Sequence, residues 1–247
     1  MLKGSVKTRQ EEEARPKKVR DRWCQGAAAD NDGHVVTRSE RAGPLRVAPV
    51  HVPFATVKYL SHLFESNRAW TARQTAQDAS FFSRLASIQR PDYLWIGCAD
   101  SRVPANEIVG LAPGELFVHR NVANVVKLDD VNCMAVVQYA IESLGVRHVI
   151  VCGHYGCGGV RSAMDGGISG NVEKWLAPVR TLAREQSKTL VELTDVQQWS
   201  RLCELNVIEQ VRNVIASDVI QKAWSNGVEI DIHGWIYDVA DGLLRDL

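Results

Sequence analysis

Several features that the sequence lacks narrow its function. Its 29 basic and 29 acidic residues leave no net charge, which argues against a nucleic-acid-binding protein that works through a broad basic surface. No apolar run approaches the roughly 18 residues that a membrane-spanning helix needs. The first residues contain Glu11, Glu12 and Glu13 and no apolar stretch, so they resemble neither a secretory signal nor a transit peptide. We expect a cytoplasmic protein without nucleic-acid or membrane partners.

The six cysteines do not indicate a disulfide framework. In a chain of this length without a secretory signal, they are expected to be reduced core residues or metal ligands. Cys133, Cys152 and Cys203 fall within predicted helices or strands, and we interpret them as core thiols. Cys98 and Cys157 follow predicted strands, so they are the candidates for metal binding.

The composition changes near residue 53. Residues 1–52 are rich in charge, alanine and glycine and show no sustained periodicity, which predicts a mostly disordered extension. Residues 53–247 are predicted to form a single α/β domain that opens with one helix from residue 57 and a second over residues 75–88. The apolar residues that recur at helical spacing in the first helix are Leu60, Leu63, Phe64 and Trp70.

Strands alternate with helices along the rest of this domain. Strands are predicted at residues 93–96, 115–119, 147–152 and 228–237, and helices at 104–109, 129–144, 160–164, 179–186 and 202–224, with a short helix near Trp175. This order is typical of βαβ units. We therefore expect an α/β fold in which helices flank a mostly parallel central β-sheet.

Two of the predicted strands are followed by polar side chains, most of which can bind a metal. Cys98, Asp100 and Arg102 follow the first strand, and His154 and Cys157 follow the third. Because sites in such folds lie at the carboxyl ends of the strands, these side chains are expected to converge. Two thiolates and an imidazole suit zinc, and three protein ligands leave a fourth position for water, as in catalytic zinc sites.

Asp100 has two possible partners. It lies two residues from Cys98 and is near enough to reach the metal, whereas Arg102 can hold the same carboxylate bidentately away from it. With Asp100 on Arg102, the metal keeps its water. With Asp100 on the metal, the site is closed and cannot activate water. The sequence does not decide between the two states.

The chain resembles a known family in two short motifs. They are Cys98-Ala99-Asp100-Ser101-Arg102 and His154-Tyr155-Gly156-Cys157. Both are similar to the motifs of the β-class carbonic anhydrases, and the resemblance extends from about Val57 to Leu247, most clearly to the bacterial branch. Three flanking runs agree with it: Glu115-Leu116-Phe117-Val118-His119-Arg120-Asn121-Val122-Ala123-Asn124, Cys157-Gly158-Gly159-Val160 and Leu202-Cys203-Glu204-Leu205-Asn206-Val207.

The resemblance implies a zinc enzyme that reversibly hydrates CO2 to bicarbonate and a proton. One zinc per subunit would be bound by the residues that match Cys98, His154 and Cys157, and its hydroxide would attack CO2. Asp100, fixed by Arg102, would accept a hydrogen bond from that hydroxide. The family also implies a homodimer or homotetramer whose N-terminal helices extend onto the partner. Relatives of this type usually carry a further helical tail, and we expect a chain without it to assemble more weakly.

The resemblance also implies residues for ligand binding and regulation. Backbone groups near Gly158 and Gly159 are expected to contact bicarbonate. One subclass is inhibited by bicarbonate at a second, non-catalytic site, and its signature residues resemble Trp95, Arg120 and Tyr237. An indole N–H, a guanidinium and a phenol suit an oxyanion. The alternative is that the two aromatic residues only pack in the core and that Arg120 pairs with a carboxylate.

Two other functions stay open at this point. A non-enzymatic zinc protein would bind the metal without hydrating CO2. An enzyme on the same scaffold could instead hydrolyse another small heterocumulene such as CS2 or COS, and access to the pocket would decide between these substrates.

Overall fold

The computed structural model describes residues 60–87 and 89–247. The predicted extension over residues 1–52 and the domain boundary at residue 53 lie outside the described residues and stay predictions. The chain divides into two units, residues 1–67 and 68–247. The described part of the first unit is the beginning of helix α1 (Ser61–Gln77), which has no buried residue. The second unit holds the sheet and the candidate site.

Helix α2 (Phe81–Ser87) follows α1 after a short break. The backbone N–H of Ser80 donates to Asp78 Oδ1 over 2.9 Å, a local bond that competes with helical pairing. The predicted helix over residues 75–88 is therefore wrong at its start, because α1 continues to Gln77. Trp70 packs edge-on against Phe82, with 5.5 Å between the ring centroids.

Five strands form one mixed sheet within the described residues. They are β1 (Tyr93–Cys98), β2 (Leu116–Asn121), β3 (His148–His154), β4 (Asp231–Tyr237) and β5 (Leu244–Asp246), in the spatial order β2-β1-β3-β4-β5. Strands β1 to β4 are parallel to their neighbours, and β5 is antiparallel to β4. The predicted α/β fold with a mostly parallel sheet is confirmed. The sequence did not indicate β5, because three residues are too few to show an alternating pattern.

Helices cover both faces of the sheet. They are α3 (Ala105–Val109), α4 (Val131–Gln138), α5 (Gly158–Asp165), α6 (Asn171–Trp175), α7 (Ala177–Glu185), α8 (Ser187–Leu190), α9 (Asp195–Ala216) and α10 (Asp218–Ser225). A π-helical turn over Tyr139–Leu144 continues α4, and a 3-10 turn over Val122–Asn124 follows β2. None of the described helices is long and apolar enough to cross a membrane.

The predicted helix over residues 202–224 is two helices. Helix α9 begins earlier, where Thr194 and Gln197 form a capping box. It ends at Ser217, whose φ of −66° and ψ of 141° are extended. Ser217 is buried and its hydroxyl donates to the carbonyl of Val214, so this serine ends the helix from within the core.

The alternation of side chains along the strands gives the sheet two apolar faces. Leu94 and Ile96 of β1 belong to the larger core under α5, α7 and α9. Trp95 points the other way and packs with Ile150 and with Ala105 of α3. Because both faces are covered, β1 and β3 are buried along almost their whole length. Their carboxyl ends therefore meet at one edge of a rigid sheet.

Candidate metal centre

Three ligand side chains converge at the carboxyl ends of β1 and β3. Cys98 is the last residue of β1, His154 is the last of β3, and Cys157 precedes the first residue of α5. Their ligand atoms all lie within 4.8 Å of one another, and all three residues are buried. The two sulfur atoms are 3.8 Å apart. The structure thus brings together the three residues that the sequence indicated as metal ligands.

The turn between His154 and Cys157 depends on a glycine. Gly156 has a φ of 68°, in the left-handed region that glycine adopts without steric cost. No atom lies within 4 Å of the position that a Cβ would take there. The glycine is needed for its backbone conformation and not for space, and this conformation returns the chain so that Cys157 faces His154.

The hydrogen bond of His154 selects one tautomer of its ring. Nδ1 lies 2.9 Å from the carbonyl oxygen of Tyr155, and a carbonyl can only accept, so Nδ1 carries the proton. Nε2 then has a free lone pair. It is buried and has no hydrogen-bond partner among the described residues. Asp100 Oδ2, also an acceptor, lies 3.7 Å from it. Two such acceptor atoms, each with a free lone pair directed at the other, suit a cation between them.

The environment of Cys98 favours its thiolate. The hydrogen bond with Cys157 is the largest influence that lowers the pKa of Cys98, and the backbone N–H groups of Asp100 and Ala123 act in the same direction. Burial opposes this effect. A thiolate, and not a thiol, is the form that binds metals. The same hydrogen bond raises the pKa of Cys157, so in this pair the thiolate is on Cys98. That thiolate and the free lone pair of His154 Nε2 suit zinc.

The carboxylate of Asp100 is held by Arg102. Nε and Nη2 of Arg102 donate to its two oxygens over 3.0 and 2.7 Å, and the backbone N–H of Arg102 donates over 2.9 Å. Arg102 Nη2 also contacts the carbonyl of Gly156 at 3.2 Å. Chiefly through the hydrogen bond from Arg102, the pKa of Asp100 is held well below its usual range. Of the two possible arrangements of Asp100, this structure contains the one with its carboxylate on Arg102.

Gly158 and Gly159 lie in the first turn of α5. The amide N–H groups of this turn have no carbonyl partner within the helix. Gly159 also permits close packing, because a Cβ there would lie 2.8 Å from Val122 Cγ1 and 3.1 Å from Ala123 Cβ. Gly158 has no atom within 4 Å of that position. The two glycines directly follow Cys157 in the chain, and their contact with bicarbonate stays a prediction.

Trp95, Arg120 and Tyr237 lie on one face of the sheet. Arg120 is in register with Gly97, two residues after Trp95, and side chains two residues apart share a face. Trp95 is buried, and Tyr237 packs against the same apolar cluster. Arg120 donates through Nε to the carbonyl of Cys98 over 2.8 Å and through Nη2 to the carbonyl of Asp100. It therefore supports the backbone of the metal-binding loop directly.

Other supports of the site carry no sequence signal. The indole N–H of Trp199 donates to the carbonyl of Cys157 over 2.9 Å, across 42 positions of the chain. Cys152 lies two residues before His154 but is not part of the ligand set, because its thiol donates to the carbonyl of Gly153. Burial raises its pKa. Cys152, Cys133 and Cys203 are buried free thiols, as predicted.

Comparison with known proteins identifies the family. The family model described as "Carbonic anhydrase" matches residues 93–244. The carbonic anhydrase of Emericella nidulans is 48% identical over 199 residues, which cover 78% of this chain and 87% of that protein. The carbonic anhydrase of Candida albicans is 40% identical over 166 residues, which cover 64% of this chain and 57% of that protein.

The predicted bacterial type is corrected by these identities. Both of the relatives above are fungal, whereas the carbonic anhydrase of Pseudomonas aeruginosa is 32% identical over 175 residues, with 68% of this chain and 79% of that protein covered. The similarity is therefore of the fungal type.

Solved structures agree with the sequence relatives. The Coccomyxa β-carbonic anhydrase in complex with acetazolamide has a TM-score of 0.75 at 40% identity, covering 77% of this chain and 86% of that one. One of two tetrameric β-carbonic anhydrases from the ascomycete Sordaria macrospora has a TM-score of 0.72 at 37% identity, covering 76% of this chain and 95% of that one. Together with the sequence matches, these likenesses show that the chain is an enzyme of the β-class carbonic anhydrase family.

Proposed function

We propose that this protein is a zinc enzyme that catalyses the reversible hydration of CO2 to bicarbonate and a proton. The observation that supports this most is the convergence of two sulfurs and an unpartnered imidazole nitrogen within 4.8 Å. The set matches the ligand types and number of catalytic zinc sites, in which a fourth position stays open. Cys98, His154 and Cys157 would hold the metal.

Zinc at such a site acts as a Lewis acid that lowers the pKa of a coordinated water to about 7, an effect for which carbonic anhydrase with three histidine ligands is itself the standard example. The chain's own contribution is orientation. Asp100 lies beside the ligand atoms, and Arg102 fixes its carboxylate with two side-chain N–H groups. The carboxylate is charged at neutral pH, and its lowered pKa, caused chiefly by the hydrogen bond from Arg102, keeps it charged in mild acid as well. It can accept a hydrogen bond from the attacking oxygen and aim its lone pair at CO2.

The bicarbonate that forms is expected to contact the first turn of α5. The first turn of this helix presents the N–H groups of Gly158 and Gly159 next to Cys157, and such groups favour an anion. We therefore propose that the N–H groups of both glycines contact bicarbonate. Gly159 has the further role of letting α5 approach Ala123 closely.

Chelation of the purified protein tests the proposed function. Wild type is expected to contain about one zinc per chain, to lose CO2 hydration when a chelator removes it, and to regain activity with added Zn2+. Mg2+ serves as the control, because it prefers oxygen ligands and is not expected to restore the rate. Metal content and stopped-flow rates measured on the same samples give the answer. A metal-free sample that hydrates CO2 as fast as the zinc form would contradict the proposal.

We also propose that the enzyme assembles as a homodimer or homotetramer. The neighbour from Sordaria macrospora is described as tetrameric. Several large apolar side chains of this chain are exposed, and Val131 is 80% and Leu128 53% accessible. Such residues beside one another are typical of a surface that a partner covers. The contribution of the N-terminal helices to a partner, and the cytoplasmic location, stay predictions.

Inhibition by bicarbonate is a further part of the proposal. Trp95, Arg120 and Tyr237 share one face of the sheet, and Arg120 already holds the carbonyls of Cys98 and Asp100. An anion that drew Arg120 away would loosen the loop that carries Asp100. The carboxylate could then turn from Arg102 towards a metal held by His154 Nε2, which is 3.7 Å from Oδ2. The closed state would follow from that movement.

The pH profile tests this regulation. In wild type, bound bicarbonate is expected to favour the closed state, with Asp100 on zinc, at low pH. Activity is therefore expected to fall steeply in acid. Trp95→Phe, which removes the indole N–H, is expected to make the profile shallower. Trp235→Phe is the matched control. The ring centroid of Trp235 lies 6.4 Å from that of Trp95, but Trp235 is not part of the proposed site. A shallow profile in wild type that Trp95→Phe leaves unchanged would count against bicarbonate regulation.

A further inference from the structure

The turn that follows β2 has an unusual backbone. Ala123 has a φ of 63° and a ψ of 28°, and Asn124 has a φ of 46°. Neither is glycine, and the left-handed region costs alanine about 1–2 kcal/mol, whereas asparagine adopts it more readily. Both are buried. Conformations of this kind persist only where the surrounding structure holds them.

Helix α9 supplies the group that holds the turn. Nδ2 of Asn206, a residue with no exposed surface, donates to the carbonyl of Ala123 over 2.9 Å. Gln210 lies one helical turn further on, and its Nε2 donates to Asn206 Oδ1 over 2.9 Å. Gln210 Oε1 in turn accepts from the backbone N–H of Val126 over 2.9 Å. The amide of Asn206 is thereby fixed in the orientation that aims its donor at the turn.

The same turn contacts both halves of the metal centre. Asn121, two residues before Ala123, is in register with Cys98 in the sheet, and its carbonyl accepts from the backbone N–H of Ala99 over 2.8 Å. This places the turn beside Cys98, where the backbone N–H of Ala123 adds to the lowering of the pKa of Cys98, for which the bond with Cys157 is the main cause. On the other side, a Cβ at Gly159 would lie 3.1 Å from Ala123 Cβ. Gly159 belongs to the first turn of α5, directly after Cys157. The position of Ala123 therefore sets the surroundings of both thiols.

We propose that Asn206 is a positioning residue for the metal centre, which acts by holding the carbonyl of Ala123 and so keeping the N–H of Ala123 on the sulfur of Cys98. This inference rests on the proposed zinc site. A hydrogen bond to a metal-binding sulfur fixes its orientation and tunes its electron donation. Loss of such an outer contact typically weakens metal binding by about 10–100-fold.

The test compares two leucine substitutions on the same helix. Asn206→Leu removes the donor to Ala123. Asn213→Leu is the matched control, because Asn213 donates instead to the carbonyl of Val126, over 3.0 Å, and to Gln210 Oε1. In the zinc-loaded full chain, Asn206→Leu is expected to release zinc to a chelator about 10-fold faster or more. Asn213→Leu is expected to lose stability to heat but to release zinc close to the wild-type rate.

A second variant and a spectrum separate positioning from folding. Asn206→Ser keeps a polar group in the same space but is too short to reach Ala123, and it is expected to release zinc faster as well. In the Co2+-substituted protein, both Asn206 variants are expected to shift the sulfur-to-cobalt absorption band, and Asn213→Leu is not. A loss of stability alone would not move that band.

Each outcome bears on the proposal. If wild type holds zinc and both Asn206 variants release it as slowly as wild type, or if all three variants release it in proportion to their lost stability, the positioning role of Asn206 is wrong while the zinc enzyme stands. If wild type binds no zinc or cobalt at all, the proposed metal centre and this inference fall together.

Discussion

Asp100→Asn is expected to retain zinc and to lower kcat/KM for CO2 hydration by about 100-fold or more, within the range typical of a positioned acid–base group. Asparagine has nearly the same shape, but one of its two oxygens becomes an NH2 group that faces Arg102 or the attacking oxygen. Arg102 now donates to both carboxylate oxygens of Asp100, over 3.0 and 2.7 Å. After the substitution, one of these two bonds becomes a contact between two donors.

The matched control for this variant is Asp165→Asn. Asp165 is also a carboxylate paired with an arginine, since Arg161 Nε lies 2.7 Å from its Oδ2. It lies at the end of α5, away from the ligand atoms. Stopped-flow hydration and zinc analysis of both variants check the prediction, and the control is expected to match wild type. Turnover near the wild-type rate in Asp100→Asn, with zinc bound, would rule out the role assigned to Asp100.

Cys157→Ser is expected to abolish stable zinc binding and, with it, measurable CO2 hydration. The substitution changes one buried sulfur to oxygen, so the volume of the side chain hardly changes. A hydroxyl stays protonated at neutral pH and is a poor replacement for a thiolate. Cys98 and His154 would remain as the two ligands, which is one fewer than catalytic zinc sites use. Metal analysis after gel filtration, together with hydration rates, measures the effect.

Cys152→Ser is the control for that experiment. Cys152 is as deeply buried as Cys157 and lies in the strand before it, but its thiol donates to the carbonyl of Gly153 over 3.3 Å. A serine hydroxyl can make the same bond. This variant is expected to keep zinc and activity, whereas equal zinc loss in both variants would show that a buried hydroxyl, and not a missing ligand, causes the effect.

The sheet and the ligand set could be predicted because their signals are local. Continuous apolar runs mark β1 and β3, and the polar residues that follow each run must lie at the same edge of a parallel sheet. The sequence therefore predicts that Cys98, His154 and Cys157 lie close together. Gly156, in the middle of the second motif, adopts the left-handed turn that its residue type favours.

The rest could not be predicted because it depends on contacts between distant parts of the chain. Ala123 adopts a left-handed conformation that its residue type disfavours, and the residue that holds it, Asn206, is 83 positions away. In the sequence, Asn206 is only a polar residue within the apolar pattern of a helix. Its partner becomes visible only once α9 lies against the turn after β2.

X-ray absorption at the zinc edge of the active wild-type enzyme tests the central claim most directly. The ligand set of Cys98, His154 and Cys157 predicts two sulfur neighbours at about 2.3 Å and nitrogen or oxygen neighbours at about 2.0–2.1 Å in a four-coordinate centre. A zinc with four sulfur neighbours, or with none, in a sample that hydrates CO2 would contradict it.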